Sequence, residues 1–240
     1  MLLSKTSSLP ASTYDEIKRL GAKQVYVLGG ETAISKEVLA KLTQSGIKVE
    51  RISGKDRYET AAKIASKFGK YDTAVIASGS NFPDALSVSS YAAEQGMPIL
   101  LTRDKSLPAV TKDALVKAGV DQTYVIGGKV AVNDSVLKAV PNGHRISGAD
   151  RYETSVAIST FFADETKSVY VSTGVNFADA LAGGVLAAKE GSGVYIVGKN
   201  VTPELGEHLQ TLGVEYVDVL GGKVAVPDSI LAELDKYLGN

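Results

Sequence analysis

Apolar and polar positions along this chain follow two rhythms. Tyr58, Ala61, Ala62, Ala65 and Phe68 recur at helical spacing, and Glu59 and Lys63 form an i,i+4 pair on the opposite face. That pattern predicts an amphipathic helix. The run T-A-V-I-A-S-G at 73–79 is instead short, unbroken and apolar, which predicts a buried strand. A helix over 83–94 follows, with Asn81 as its N-cap, Pro83 and Asp84 in its first turn and Gly96 as its stop. The same signals predict a strand at 98–102 and a helix opened by Leu107-Pro108 and ended by Gly119. A strand at 123–126 is stopped by Gly127-Gly128, and a helix over 132–140 starts near Asn133 or Asp134. Short apolar strands alternating with helices of about ten to fifteen residues predict an α/β fold with a mainly parallel sheet flanked by helices.

The pattern then starts again. R-I-S-G-K-D-R-Y-E-T at 51–60 returns as R-I-S-G-A-D-R-Y-E-T at 145–154, identical at nine of ten positions. Such a block marks an internal repeat. Asn176-Phe177-Ala178-Asp179 matches Asn81-Phe82-Pro83-Asp84, and V-D-V-L-G-G at 217–222 matches the third strand. Before Arg51, Leu2-Leu3-Ser4 aligns with Leu100-Leu101-Thr102, Leu9-Pro10 with Leu107-Pro108, and V-Y-V-L-G-G at 25–30 with 124–128. The reading is therefore two and a half repeats: the back half of a first at 1–50, a second at 51–144 and a third at 145–240. Met1 falls where Ile99 stands, inside a strand, so the chain is expected to begin partway through a repeat of a three-repeat parent. Residues 1–50 then lack a strand and two helices, and apolar surface should be exposed there.

The repeated block has readable physics. Asp56 and Glu59 have capping-box spacing, with Asp56 as N-cap, and Gly54 eases the turn before them. Arg57 and its equivalent Arg151 fall in the first helical turn, where the macrodipole disfavours a cation by a few tenths of a kcal/mol. Their partner is either an internal carboxylate or an anionic ligand.

Composition narrows the chemistry. The 240 residues are 44% hydrophobic and 22% charged, as in an ordinary globular protein. A net charge of −1 and a pI near 6.2 give no global attraction to nucleic acid. The absence of cysteine excludes disulfides, thiol catalysis and cysteine metal sites. No apolar run reaches the roughly 18 residues of a spanning helix, and Met1-Leu2-Leu3 lacks the basic start of a signal peptide. Any export signal would lie outside this sequence.

Candidate chemistry is sparse. Gly127-Gly128 and Gly221-Gly222 follow strands, but neither phosphate-binding glycine motif is present, so a tight turn accounts for them. Asp84 and Asp179 stand singly at strand ends, without the second acid that metal-assisted phosphoryl chemistry needs. As first-turn acids they would stabilise their helices, and as caps their loss would cost about 0.5–2 kcal/mol. His144 and His208 occupy non-equivalent positions, and the serines lack a nucleophile elbow. The residues call for no cofactor and no metal.

The repeated block, S-G-x-N-F-x-D-A-L, P-I-L-L-T and V-Y-V-I/L-G-G together resemble the cell-wall-binding repeat 2 family of clostridial surface and S-layer-type proteins. The resemblance covers essentially the whole chain. It implies tandem Toprim-like α/β modules packed with pseudo-threefold symmetry. It also implies secretion to the cell surface and non-covalent anchoring to an anionic polysaccharide or teichoic-acid-like polymer of a Gram-positive wall. The family's isoleucine-leucine-leucine motif maps onto Ile99, Leu100 and Leu101, partly onto Met1, Leu2 and Leu3, and poorly onto Val194-Tyr195-Ile196. The Glu and D-x-D pattern of Toprim metal chemistry is absent. The expectation is a non-catalytic wall-binding module with a surface built from Arg51, Arg57, Arg145 and Arg151 and supported by the leucine motifs. Self-association through the incomplete first repeat is also expected, with no nucleic acid partner and no membrane insertion. The alternatives are a small-anion-binding enzyme or sensor using the loops at 81–84 and 176–179, or a protein–protein interaction scaffold.

Overall fold

The computed structural model describes residues 1–162 and 166–238. Their strands form three separate sheets in which every pairing is parallel. The first holds β1 (Gln24–Leu28) and β2 (Lys48–Ile52), with helices α1 (Ala11–Arg19) and α2 (Lys36–Gln44) before each strand. The second runs in the order β4 (Ile99–Thr102), β3 (Thr73–Ser78), β5 (Gln122–Ile126), β6 (Gly143–Ile146). The third runs β8 (Val194–Val197), β7 (Ser168–Thr173), β9 (Tyr216–Leu220). Between them lie α3 (Arg57–Ala65), α4 (Pro83–Ser87), α5 (Ser89–Glu94), α6 (Ala109–Ala118), α7 (Asp134–Leu137) and α8 (Arg151–Phe162). The chain continues through α9 (Ala178–Lys189), α10 (Pro203–Thr211) and α11 (Asp228–Leu234).

The unbroken apolar runs are central strands covered on both faces, as parallel strands require. On one face Ala74 and Ile76 of β3 join Leu100, Leu115, Val125 and Val136 in the core of the second sheet. On the other, Val75 meets Val88, Tyr91, Ile126, Ile146 and Ile158, so α8 of the next repeat helps to cover this sheet. Ile76 and Leu100 have no exposed surface. Truncating either to alanine costs about 2–5 kcal/mol by lost transfer energy and the cavity left behind. The second and third repeats interlock through close approach: a Cβ on Gly193 would sit 2.1 Å from the Tyr91 hydroxyl.

Four local expectations change. The Arg-Ile of the repeated block is not only a chain entry but the end of a strand. Arg51 and Ile52 pair with Val27 and Leu28, and Arg145 and Ile146 pair with Val125 and Ile126 in the same register. Each R-I therefore closes the sheet of the preceding repeat, while the helix after it packs on the next. The segment carrying Leu2, Leu3 and Ser4 forms no strand. Its counterpart β4 pairs only with β3, and the first sheet has no strand of that kind to pair with. The helix expected over 83–94 is two short ones meeting at Val88. The one expected over 132–140 covers only α7, capped by Asn133, whose Oδ1 accepts from Ser135 N–H at 3.0 Å.

Part of the surface of residues 1–28 is apolar. Met1, Leu2, Leu3, Tyr26 and Leu28 are exposed, whereas Ile126, which matches Leu28, is fully buried in the second sheet.

Candidate functional site

The repeated block is built twice in the same way. Asp56 Oδ1 accepts from Glu59 N–H at 2.9 Å, and Asp150 Oδ1 accepts from Glu153 N–H at 3.0 Å. The reciprocal arm reaches one residue further than a standard capping box: Glu59 and Glu153 accept from Lys55 and Ala149 N–H, both at 3.0 Å. Gly54 is required by space, because a Cβ there would lie 2.3 Å from that of Glu59.

The four arginines divide into two pairs. Arg51 donates to Gly29 O at 2.6 Å and Ile34 O at 2.7 Å, both in the first sheet's loop. Arg145 donates to Gly127 O at 2.5 Å and to Asp134 Oδ1 at 3.1 Å, with 14% of its side chain exposed. These two fasten the block to the preceding repeat. Arg57 and Arg151 are exposed and point forward, donating to Gly79 O and Gly174 O just past β3 and β7. Among the described residues neither makes an ion pair within 4.0 Å. Each spends one nitrogen on a carbonyl and keeps other donors available.

Asp84 is buried at the edge of a cleft of ≈ 550 Å³ where the second and third repeats meet, lined also by Asn81, Gly128, Ser147, Asp150 and Arg151. It does not cap α4, whose N-cap is Phe82 without a side-chain bond. Its Oδ2 occupies the space a Cβ on Gly127 would take, at 2.5 Å, and Gly127 itself has φ +108°. The glycine pair is thus a turn with a carboxylate seated on it, and Asp179 sits on Gly221 in the same way. Burial pushes the Asp84 carboxyl above its usual range, and the charge of Arg151 pulls it partly back. A buried carboxylate lining the cleft does not suit a small-anion site.

Sequence reasoning passed over Arg103. It follows β4 directly, is exposed, and its guanidinium carbon stands 5.5 Å from the centre of the Tyr58 ring. The third repeat has Gly198 at this place, so repeat comparison alone gives no signal.

The leucine motif lies inside. Leu100 is fully buried, Ile99 and Leu101 are half-buried, and Leu2 and Leu3 are exposed in the first unit. The histidines stay apart: His144 stacks on Phe161 at 5.0 Å, while His208 Nε2 lies 3.0 Å from Ser159 Oγ and 3.2 Å from the Tyr195 hydroxyl. Among the described residues no three His, Asp or Glu side chains cluster as a metal site, and no helix is long and apolar enough to cross a membrane.

Comparison with known proteins identifies the family. The model of the family described as cell wall binding domain 2 matches residues 51–137 and 145–231. The N-acetylmuramoyl-L-alanine amidase LytC of Bacillus subtilis (strain 168) is 31% identical over 235 residues, covering 98% of this chain and 47% of that protein. The amidase enhancer of the same organism is 33% identical over 244 residues, covering 100% of this chain and 33% of that protein. The chain thus spans half or less of the length of these relatives. Among solved structures, Cwp6 from Clostridium difficile superposes with a TM-score of 0.91 at 28% identity, over 100% of this chain and 40% of that one. Cwp8 from the same organism gives 0.86 at 27% identity, over 99% and 42%. The two matched repeats cover most of the chain, which therefore belongs to the cell wall binding domain 2 family and is a cell-wall-binding module.

Proposed function

We propose that this module anchors a larger surface protein or wall hydrolase, non-covalently, to an anionic polysaccharide or teichoic-acid-like polymer of a Gram-positive wall. One observation carries the reading. Arg57 and Arg151 stand at equivalent places in two repeats, exposed, each steadied by a backbone carbonyl and each without an ion-pair partner within 4.0 Å among the described residues. A polymer with regularly spaced anions can engage both at once, so the second contact is intramolecular and strengthens the first. Guanidinium forks suit phosphate and carboxylate oxygens. Arg51, Arg145 and Leu100 serve this surface from behind, by joining the repeats and filling the core. We infer that Ile99 and Leu101, half-buried beside Leu100, and the exposed Leu2 and Leu3 take a share in the same binding, as the equivalent leucine motifs of the repeats.

Co-sedimentation with purified wall tests the reading. Arg57→Ala with Arg151→Ala should weaken binding well beyond either single change, with folded fraction held equal. Undiminished binding by the folded double variant would move the polymer site elsewhere.

The exposed Met1, Leu2, Leu3, Tyr26 and Leu28 support a second copy of this chain as a partner, because their counterparts in the second repeat are more deeply covered.

A further inference from the structure

We propose that Arg57, Tyr58 and Arg103 form an anion site that exists in the second repeat and not in the third, and that it takes a phosphate group of the wall polymer. The polymer's identity rests on the anchoring reading above; the site itself rests on geometry. Gly79 N–H donates to Thr102 O at 2.8 Å, so the ends of β3 and β4 are tied side by side. Arg57 is fixed to the first of these ends through Gly79 O, and Arg103 begins the chain leaving the second. The Tyr58 ring stands at the same strand end. It packs against Gly79, where a Cβ would be 2.6 Å from its Cε1, and it holds the Arg103 guanidinium 5.5 Å from its centre.

Arg57 and Arg103 are therefore both exposed and both held beside Gly79, the first through its carbonyl and the second on the ring packed against it, and neither has an ion-pair partner within 4.0 Å among the described residues. Like charges so arranged repel, and an oxyanion with several acceptor oxygens relieves the repulsion while meeting both planar forks. The third repeat cannot copy the arrangement. Gly198 stands at the Arg103 position, and a Cβ there would come within 3.0 Å of the Tyr152 ring. Arg151 keeps its anchor on Gly174 but has no second arginine beside it. The module thus offers a strong contact in one repeat and a weaker one in the next.

Inorganic phosphate titrated into the full chain at constant ionic strength, followed through the side-chain Nε–H resonances of its arginines, tests the site. Arg57 and Arg103 signals should shift together with one affinity. Arg103→Gln, at an exposed position, should leave the thermal midpoint unchanged and weaken phosphate binding at Arg57 at least tenfold. Arg103→Lys should retain part of the affinity, and Arg151→Gln should leave it unchanged. Wild-type phosphate affinity in Arg103→Gln, or Arg103 signals that do not move, would overturn the proposal. Wall co-sedimentation of the same proteins separates the two readings: phosphate binding at this site without any wall binding would remove the anchoring function and leave the anion site standing.

Discussion

Arg51 and Arg57 belong to one ten-residue block, yet they grip carbonyls of different repeats. Arg51 donates to Gly29 and Ile34 O of the first unit, and Arg57 donates to Gly79 O at the end of β3 in the second. The block is therefore a joint between modules. Arg145 and Arg151 repeat the relationship one module later.

The backward-facing arginines should matter for folding more than for binding. Arg51→Ala or Arg145→Ala removes hydrogen bonds from a charged donor to half-buried acceptors, worth about 2–3 kcal/mol in total. Urea denaturation should show a lower midpoint for both, and a loss under 0.5 kcal/mol would contradict the joint.

Asp84 should oppose stability at neutral pH. Its folded pKa is raised by burial, so the folded state binds its proton more tightly than the unfolded chain does. Its stabilising share is fully present below the ordinary carboxyl value and is lost as pH rises through the raised one. Asp84→Asn should therefore be as stable as wild type or more so at pH 7, and the advantage should vanish on acidification. Thermal midpoints from pH 4 to 8 check this; an Asn variant that is less stable throughout would mean the carboxylate holds the turn at Gly127 by a bond of its own.

His208 carries the opposite pH dependence. Half-burial lowers its pKa, and the neutral ring lies within hydrogen-bond distance of Ser159 and Tyr195. The unfolded chain then binds the proton more readily, so stability is complete above about pH 6.5 and declines as pH falls toward the depressed value. The wild-type slope in this window should disappear in His208→Gln. An unchanged slope would place the acid sensitivity in other groups.

Much of this layout is legible in the chain itself. The unbroken apolar runs and the helical rhythm locate the central strands and long helices, because buried parallel strands are covered on both faces. The capping of α3 follows from Asp56 and Glu59 alone. Strands β2 and β6 are less legible: K-V-E-R-I and G-H-R-I are polar edge strands, and only their pairing partners reveal them. The division of labour between Arg51 and Arg57 is invisible for the same reason, since both are arginines of one motif and differ only in which carbonyls lie within reach. Arg103 is hidden because its partner ring is 45 positions away and its counterpart is a glycine.

The exposed apolar residues of the first unit should draw copies together. Sedimentation velocity at rising concentration should show a monomer–dimer equilibrium, shifted toward monomer by Tyr26→Lys with Leu28→Lys. A chain that stays monomeric at high concentration would refute the contact.

If an anionic wall polymer is what this surface holds, binding must depend on that polymer and on salt. Purified Gram-positive wall is divided, half is stripped of its anionic polymers by acid extraction, and the folded chain is sedimented with each half at low and high salt. Binding to intact wall should be strong, weakened by salt because exposed charges are screened over about 8–10 Å, and binding to stripped wall should be slight. Equal binding to both halves, indifferent to salt, would contradict that dependence and place the module on the peptidoglycan or on another surface protein.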